Sequence, residues 1–239
     1  MSAPRSSSFA ATRWTLVGQA QGDSAAARAA LSELCAAYYA PIVAFLRSRG
    51  GNEDAAREQA HAFFARILAG GSLGGADPAR GRFRGYLLGA VKHFLADEHD
   101  RAGAAKRGGG SEPVPLDPGG SAPGFPTADI TEPEHAFDRQ WALTVMARAL
   151  ETVAAELREV GKSAHFETLK PWLTGESAAL PQATAARQLG MSESAVRVAI
   201  HRLRQRFREQ VKAEIAQTVP SGADIEDELR HLVAVLVAR

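Results

Sequence analysis

Cationic and apolar side chains alternate regularly in a segment near the C-terminal end of the chain. Four apolar residues follow the spacing i, i+4, i+7 and i+11, namely Val196, Ile200, Leu203 and Phe207. Four polar residues, each one position later, follow the same spacing, namely Arg197, His201, Arg204 and Arg208. This spacing predicts a helix with one face for packing and a neighbouring face that carries cations and hydrogen-bond donors. Such a face is suited to contacting phosphates and the edges of bases.

A turn and a shorter helix precede this segment. Gly190 can adopt the left-handed conformation that ends a helix, and Ser192 is a favourable N-cap for the next one. Helix, tight turn and helix are the layout of a helix-turn-helix, whose second helix lies in the DNA major groove. We expect base contacts from Ser194, Arg197, Val198 and His201, and phosphate contacts from Arg202, Arg204 and Arg206. Ser192 is a further candidate for contact with DNA. The alternative is an amphipathic helix whose arginines only keep its outer face soluble.

A second basic segment lies between residues 80 and 107, where seven basic residues occur with three acidic ones. Its aromatic residues share the spacing of an inward helix face, so we expect most of them in the core. The residues that remain as candidates for nucleic-acid contact are Arg82, Arg84, Lys92, His93, Asp97, Arg101, Lys106 and Arg107. His93, Asp97 and Asp100 share a face, but two carboxylates and one imidazole from one segment make a poor zinc site.

The chain contains no phosphate-binding loop, nucleophile-elbow sequence or zinc-type cysteine pair. We therefore expect no catalytic residues, no metal and no cofactor. The formal net charge is only +1, but the charges are unevenly distributed. Residues 108–138 hold six acids and no Lys or Arg, whereas residues 187–212 hold seven bases and two acids. Two basic modules on either side of an acidic connector are typical of a protein that binds nucleic acid.

The fold class predicted from the sequence is all-α, because segments rich in Ala, Leu, Arg and Glu recur and β-type alternation is nearly absent. The predicted helices span 24–37, 41–48, 53–68, 83–101, 134–159, 164–174, 181–189, 193–217 and 224–237. We expect an N-terminal domain over 1–102, a Gly/Pro-rich acidic linker over 103–133, a helix-turn-helix domain over 134–217 and a C-terminal extension helix over 218–239. The extension helix, with Asp224 as its cap, could pack on its own domain or fold over a DNA-binding surface.

The only cysteine, Cys35, excludes an internal disulfide and lies in an apolar helical pattern, so we expect a buried thiol. Residues 1–11 lack the apolar core of a signal peptide, and the apolar run 229–237 is far shorter than a membrane span. A cytoplasmic protein without membrane insertion is the resulting expectation.

Short motifs in a consistent order resemble the extracytoplasmic-function (ECF) branch of bacterial sigma factors. They are Thr12-Arg13-Trp14-Thr15-Leu16-Val17, Phe63-Phe64-Ala65-Arg66-Ile67-Leu68, Gly81-Arg82-Phe83-Arg84, Lys92-His93-Phe94-Leu95-Ala96, Lys106-Arg107-Gly108-Gly109-Gly110, the segment 189–204 and Asp227-Glu228-Leu229-Arg230-His231-Leu232. The resemblance covers nearly the whole chain and is closest to members with a short helix after the DNA-binding domain.

The resemblance implies that the chain binds core RNA polymerase, through the β′ clamp helices and the β flap, and directs promoter-specific initiation. The eight residues selected between Arg82 and Arg107 would then contact the minus-ten element, and the helix-turn-helix would read the minus-thirty-five element. The linker would thread toward the RNA exit path. The polymerase, and not this chain, would perform the chemistry.

The chain departs from the family pattern before Phe63. Family members usually carry an acidic run there, whereas this chain has Ala55-Ala56-Arg57-Glu58-Gln59-Ala60-His61-Ala62. The implied polymerase-binding residues are Ala55, Arg57, Glu58, His61, Ala62 and Phe63. Charge reversal at such an interface weakens docking, so we hypothesise that an activating kinase or a second protein is needed; an anti-sigma factor is another candidate for control. Gln182, Thr184 and Ala185 also make the first helix of the motif less apolar than usual.

Two other functions are compatible with parts of the sequence. A helix-turn-helix regulator that acts without polymerase would explain the segment 180–212 but not the second basic segment or the acidic linker. A degenerate sigma-like interaction module would explain only the altered residues 55–62.

Overall fold

The computed structural model describes residues 24–69, 82–106, 131–175, 181–217, 219 and 222–238. The helices in these ranges are α1 (Ala25–Ser48), α2 (Glu53–Ala69), α3 (Phe83–Lys106), α4 (Glu132–Glu159), α5 (Ser163–Leu169), α6 (Pro171–Thr174), α7 (Gln182–Leu189), α8 (Glu193–Ala216) and α9 (Gly222–Val237). No strand occurs among the described residues. The predicted all-α class is therefore confirmed. The motif at residues 12–17 and most of the predicted linker lie outside the described residues.

Helix α1 is continuous, although the sequence predicted two helices separated before Pro41. Ser24 caps its start, because the Ser24 Oγ accepts a hydrogen bond from the Ala27 amide at 3.0 Å. Pro41 lies inside the helix and removes one backbone hydrogen bond. Buried residues on both sides of it, including Tyr38 and Ile42, form one continuous packed face. Packing along this face outweighs the local cost of the proline, so the prediction of a break was wrong.

Helix α1 is also the one described helix that is long and apolar enough to cross a membrane by length and composition. Its most apolar window has a mean hydropathy of 1.5, and 53% of that window is buried within the structure. Its buried residues include Ala27, Leu34 and Phe45. Core helices of water-soluble proteins share these properties, so the helix by itself does not indicate a membrane protein.

The structure divides into two compact units. The first contains the described residues up to Ala142 together with those from Ala216 onward, and the second contains Leu143–Ile215. These divisions fall inside α4 and α8, whereas the sequence predicted boundaries at 133/134 and 217/218. Helix α9 belongs to the first unit, where Glu228, Leu232 and Val235 are buried at the spacing i, i+4 and i+7.

The core of the first unit contains large side chains that are almost completely buried, namely Tyr38, Phe45, Phe63, Phe83, Phe137 and Trp141. Edge-to-face ring contacts join several of them, for example Tyr38 with Phe83 at 5.2 Å between ring centroids. Helix α3 continues to Lys106, several residues into the predicted linker. The aromatic residues Phe83 and Phe94 lie in this core, as expected from their helical spacing.

The second unit is built on a separate apolar cluster. Its buried members are Val153, Phe166, Leu169, Trp172, Ala185, Ala186, Val196, Ile200 and Leu203. Gly161, with a φ of 71°, lies in the turn after α4. The sequence predicted one helix over 164–174, but the structure has α5 and α6 on either side of Lys170. Pro171 begins α6, because a proline has no N–H to continue the preceding helix but suits the first turn of the next.

Candidate nucleic-acid interface

Helices α7 and α8 are joined by a short turn whose geometry follows from Gly190 and Ser192. Gly190 ends α7 in the left-handed region with a φ of 63°. The Met191 amide donates to the Ala186 carbonyl at 2.9 Å, which satisfies one of the last carbonyls of α7. The Ser192 Oγ accepts from the Ala195 amide at 3.2 Å and so caps the start of α8. Both local predictions, the glycine end and the serine cap, are confirmed.

The two faces of α8 differ as the spacing of its residues predicted. Val196, Ile200 and Leu203 are buried in the second unit's core, and Phe207 is partly buried against it. The opposite face is exposed and carries Ser194, Arg197, Val198, His201 and Arg202. Val198 has 49% of its surface exposed, although it is an apolar residue on a polar face. This face combines cations, a hydroxyl, an imidazole and a small apolar side chain on one rigid element.

Two of the arginines predicted to hold phosphates have partners within the second unit. The Arg204 Nε donates to the Trp172 carbonyl at 3.2 Å. The Arg206 guanidinium donates to both carboxylate oxygens of Glu156, at 2.6 and 2.8 Å, and to Glu209 at 3.2 Å. These hydrogen bonds, first of all those to Glu156, raise the pKa of Arg206. Arg206 therefore stabilises the packing of α8 on α4, which the sequence did not predict.

The basic residues at the start of α3 form a buried ion cluster. Arg84 donates from Nε to Glu228 Oε1 at 2.6 Å and from Nη1 to Asp138 Oδ1 at 2.5 Å. Arg82 Nη1 lies 2.9 Å from the other oxygen of Glu228. Glu228 is fully buried, and the Arg84 guanidinium lies over the Trp141 ring at 5.1 Å from its centroid. We call Arg82, Arg84, Asp138, Glu228 and His231 the arginine cluster.

Opposite charges shift the pKa values of Asp138 and Arg84 toward their ionised forms. Burial by itself raises the pKa of Asp138, but a hydrogen bond from His231 and the charge of Arg84 outweigh burial and hold that pKa below its ordinary value. Burial alone would lower the pKa of Arg84, but the carboxylates of Asp138 and Glu228 raise it. The His231 Nε2 donates to Asp138 Oδ2 at 2.9 Å, since an ionised carboxylate can only accept.

The remaining candidates on α3 are nearer the surface. Lys92 pairs with Glu134, Arg101 pairs with Glu98, and Asp97 accepts from Arg66 at 2.8 Å. His93 is exposed. Lys106 is the last residue of α3, its side chain lies outside the described part of the chain, and Arg107 lies outside it altogether. The structure thus leaves the exposed side of α3 polar, while Arg84 near the start of the helix is largely buried and Arg82 is partly exposed.

The six residues implied to bind polymerase do not share one surface. Ala55, Arg57, Glu58, His61 and Ala62 are exposed on α2. Phe63 is almost completely buried and contacts the Phe64 and Phe94 rings at centroid distances of 5.2 and 5.6 Å. Phe63 is therefore a core residue, because the apolar face of α2 packs inward at this position, and its assignment to a binding surface was wrong.

A cleft of about 380 Å³ lies beside the exposed residues of α2. Arg57 and Arg47 both donate to Glu53, at 3.1 and 3.2 Å. The His61 ring stacks on Tyr39 and its Nε2 lies 2.9 Å from the Tyr39 hydroxyl. The walls of the cleft thus hold two guanidinium groups for one carboxylate. The sequence identified Arg57 and His61 but not Tyr39, Arg47 or Glu53, because these come from positions separated along the chain.

The sequence also missed the carboxylates of the arginine cluster. The available clue is in the run Asp227-Glu228-Leu229-Arg230-His231-Leu232, where Glu228 and His231 are three residues apart and so lie on one face of a helix. Nothing in the sequence indicates that Glu228 and His231 contact Arg84 and Asp138.

Comparisons of the chain with protein-family models, with curated proteins and with solved structures each find no match.

Proposed function

We propose that this protein is a sigma factor that binds core RNA polymerase and directs promoter-specific transcription initiation. The proposal includes two functional domains joined by the acidic linker, with α7, the turn at Gly190 and α8 acting as a helix-turn-helix. The chain itself performs no catalysis and acts in the cytoplasm. The polymerase supplies the chemistry.

The observation that carries the proposal is the exposed face at the start of α8. Ser194, Arg197, Val198 and His201 lie on it, opposite a buried apolar stripe. Arginine pairs with guanine in a bidentate manner, and a small apolar side chain fits against the thymine methyl group. A rigid, capped helix holds these groups at fixed positions, as readout in the major groove requires. In this role Arg202 contacts phosphate, while Arg204 and Arg206 support the helix from within the unit.

The second DNA contact in the proposal is the minus-ten element, on the polar side of α3. Lys92, His93 and Arg101 are exposed or partly exposed there. The ion pairs of Lys92 and Arg101 are at the surface, where an exposed pair contributes only about 0–1 kcal/mol. A phosphate can therefore replace Glu134 or Glu98 as their partner at low cost.

Docking to polymerase involves the exposed residues of α2. The exposed residues of α2 include Arg57, held by Glu53 at 3.1 Å, where an acidic face is expected. We propose that the β′ clamp helices contact this face only after an activating step, by a kinase or a second protein, or under the control of an anti-sigma factor. The β flap would contact the second domain.

Run-off transcription with purified core polymerase on a promoter library tests the proposal. Promoter-specific transcripts that depend on the added chain are expected, and Arg197→Ala should abolish them at promoters that the native chain recognises. Arg158→Ala is the matched control, because Arg158 is an exposed arginine of the same unit at the end of α4. DNA binding without initiation would instead indicate a regulator that acts without polymerase. Sequestration of core polymerase without initiation would indicate an interaction module.

A further inference from the structure

Glu228 occupies a position that a nucleic-acid phosphate would suit. Its Oε1 accepts a hydrogen bond from Arg84 Nε at 2.6 Å. Its Oε2 accepts from Arg84 Nη2 at 3.3 Å and lies 2.9 Å from Arg82 Nη1. Two guanidinium groups that converge on one anion are the arrangement by which arginine binds carboxylates and phosphates alike. Glu228 has no exposed surface, so α9 occupies the anion position between the two arginines, although 34% of the Arg82 side chain stays exposed.

The charge of α9 is opposite in sign to that of the basic segment whose Arg82 and Arg84 it contacts. Residues 222–237 contain four acids, Asp224, Glu226, Asp227 and Glu228, and one arginine. Residues 80–107 contain seven bases and three acids. A carboxylate of an acidic helix thus lies on two of the arginines at which the sequence predicts that a polyanion binds.

The contact between α9 and the rest of the first unit combines apolar and charged groups. Leu232 and Val235 are buried, while Val233 and Val237 are 52% and 74% exposed. The Trp141 Nε1–H, buried beside His231, has no hydrogen-bond acceptor among the described residues. An unsatisfied buried donor weakens the packing around it. The ion pairs of Glu228 with Arg82 and Arg84 are thus a part of the contact that a competing polyanion weakens directly.

We propose that α9 is an internal competitor of nucleic acid, in which the Glu228 carboxylate takes the place of a phosphate on Arg82 and Arg84. In the free chain α9 occupies the arginine site, and single-stranded DNA binds there once α9 has moved away. This inference rests on the proposed function for the role of the site, but it concerns a binding equilibrium that can be measured without polymerase.

The affinity of the full-length chain for a fluorescent single-stranded DNA tests the competition. Glu228→Gln removes the charge with little change of shape, so binding is expected to tighten about tenfold, because the closed form no longer dominates. Asp227→Asn is the matched control, since it removes the same charge from the exposed side of α9, where Asp227 pairs with Arg230. The salt dependence should steepen by about 1.4 in logarithmic slope if two more phosphates are neutralised. Adding Arg82→Gln to Glu228→Gln should cancel about half of this steepening. Equal affinities for the native chain and Glu228→Gln would overturn the proposal.

Amide hydrogen exchange of the native chain gives a second test that needs no variant. Saturating single-stranded DNA should speed exchange across α9 while α3 stays protected. Unchanged protection of α9 in the bound chain would overturn the proposal, even if Glu228→Gln fails to fold. Promoter-specific initiation without these effects removes the inference and leaves the proposed function standing. The effects without any initiation remove the function and leave the competition.

Discussion

Replacing Asp138 by asparagine should destabilise the first unit by an amount that depends on pH. The Asp138 carboxylate accepts from Arg84 at 2.5 Å and from His231 at 2.9 Å, and its side chain is only 7% exposed. An asparagine offers one acceptor oxygen and no charge, so about one charge-assisted hydrogen bond is lost. Such a bond contributes about 1.5–3 kcal/mol. Arg84 still pairs with Glu228 in this variant, so the loss of stability should stay below the roughly 3–5 kcal/mol that is typical when one partner of a buried ion pair is removed.

Urea-induced unfolding followed by circular dichroism, with amide exchange of α3 and α9 to identify the unit, measures this loss. A loss of about 2 kcal/mol lowers the urea midpoint by about 1 M, given slopes of about 1–3 kcal/mol per M. Asp227→Asn serves as the control, because Asp227 is exposed and pairs only within α9. Its midpoint should stay close to that of the native chain.

The pH dependence has a definite sign. The pKa of Asp138 is lowered in the folded chain, so its ionised form contributes stability above its unfolded value of about 3.9. That contribution is lost as the pH falls through the lower, folded value. The difference between the native chain and Asp138→Asn should therefore be full at pH 7 and should vanish in strong acid. Equal midpoints at pH 7, or a difference that persists unchanged below the folded pKa, would refute the reasoning.

Three further predictions concern the other elements. Ile200→Ala should destabilise the second unit by about 2–5 kcal/mol, since Ile200 is 5% exposed in its core, and the denaturation midpoint of that unit measures the loss. Gly190→Ala should lower the free energy of unfolding of the second unit by about 1–2 kcal/mol, because the φ of 63° at this position is strained for alanine. The added methyl group would meet nothing within 4 Å, so the strain is in the backbone. An unchanged denaturation midpoint would contradict this. Cys35 is only partly buried, and not fully buried as its apolar pattern predicted, but this burial raises the pKa of its thiol to about 11. Alkylation by iodoacetamide should therefore stay slow at pH 8 and accelerate as the pH approaches 11, whereas rapid alkylation at pH 7 would contradict the raised pKa.

Local features of α8 could be predicted from the sequence because their causes lie within a few residues. The left-handed Gly190, the Ser192 cap and the buried stripe with Ile200 depend on backbone sterics and helical periodicity, which residue types specify directly. The prediction failed at Pro41 and at Phe63. In both cases packing between distant segments decided the outcome. Neither a helix-breaking residue such as Pro41 nor a position in a motif such as that of Phe63 indicates how the chain packs.

The candidate site was predictable only in part for the same reason. Residue types identified Arg82 and Arg84 as cations suited to phosphate, but their partners Asp138 and Glu228 lie 54 and 144 positions from Arg84. A charge pattern indicates which groups could bind an anion. It does not indicate whether a carboxylate from another part of the chain already occupies that position.

The sequence by itself determined the helical class, the two faces of α8 and the uneven distribution of charge, because each follows from periodicity and composition. Only the tertiary structure decided that Arg206 supports α8 from within its unit and that Glu228 and His231 of α9 meet Arg84 and Asp138. These outcomes depend on which oppositely charged groups meet when the apolar faces pack. Burial removes the water that would otherwise screen such pairs, so the fold selects the partner of each buried charge.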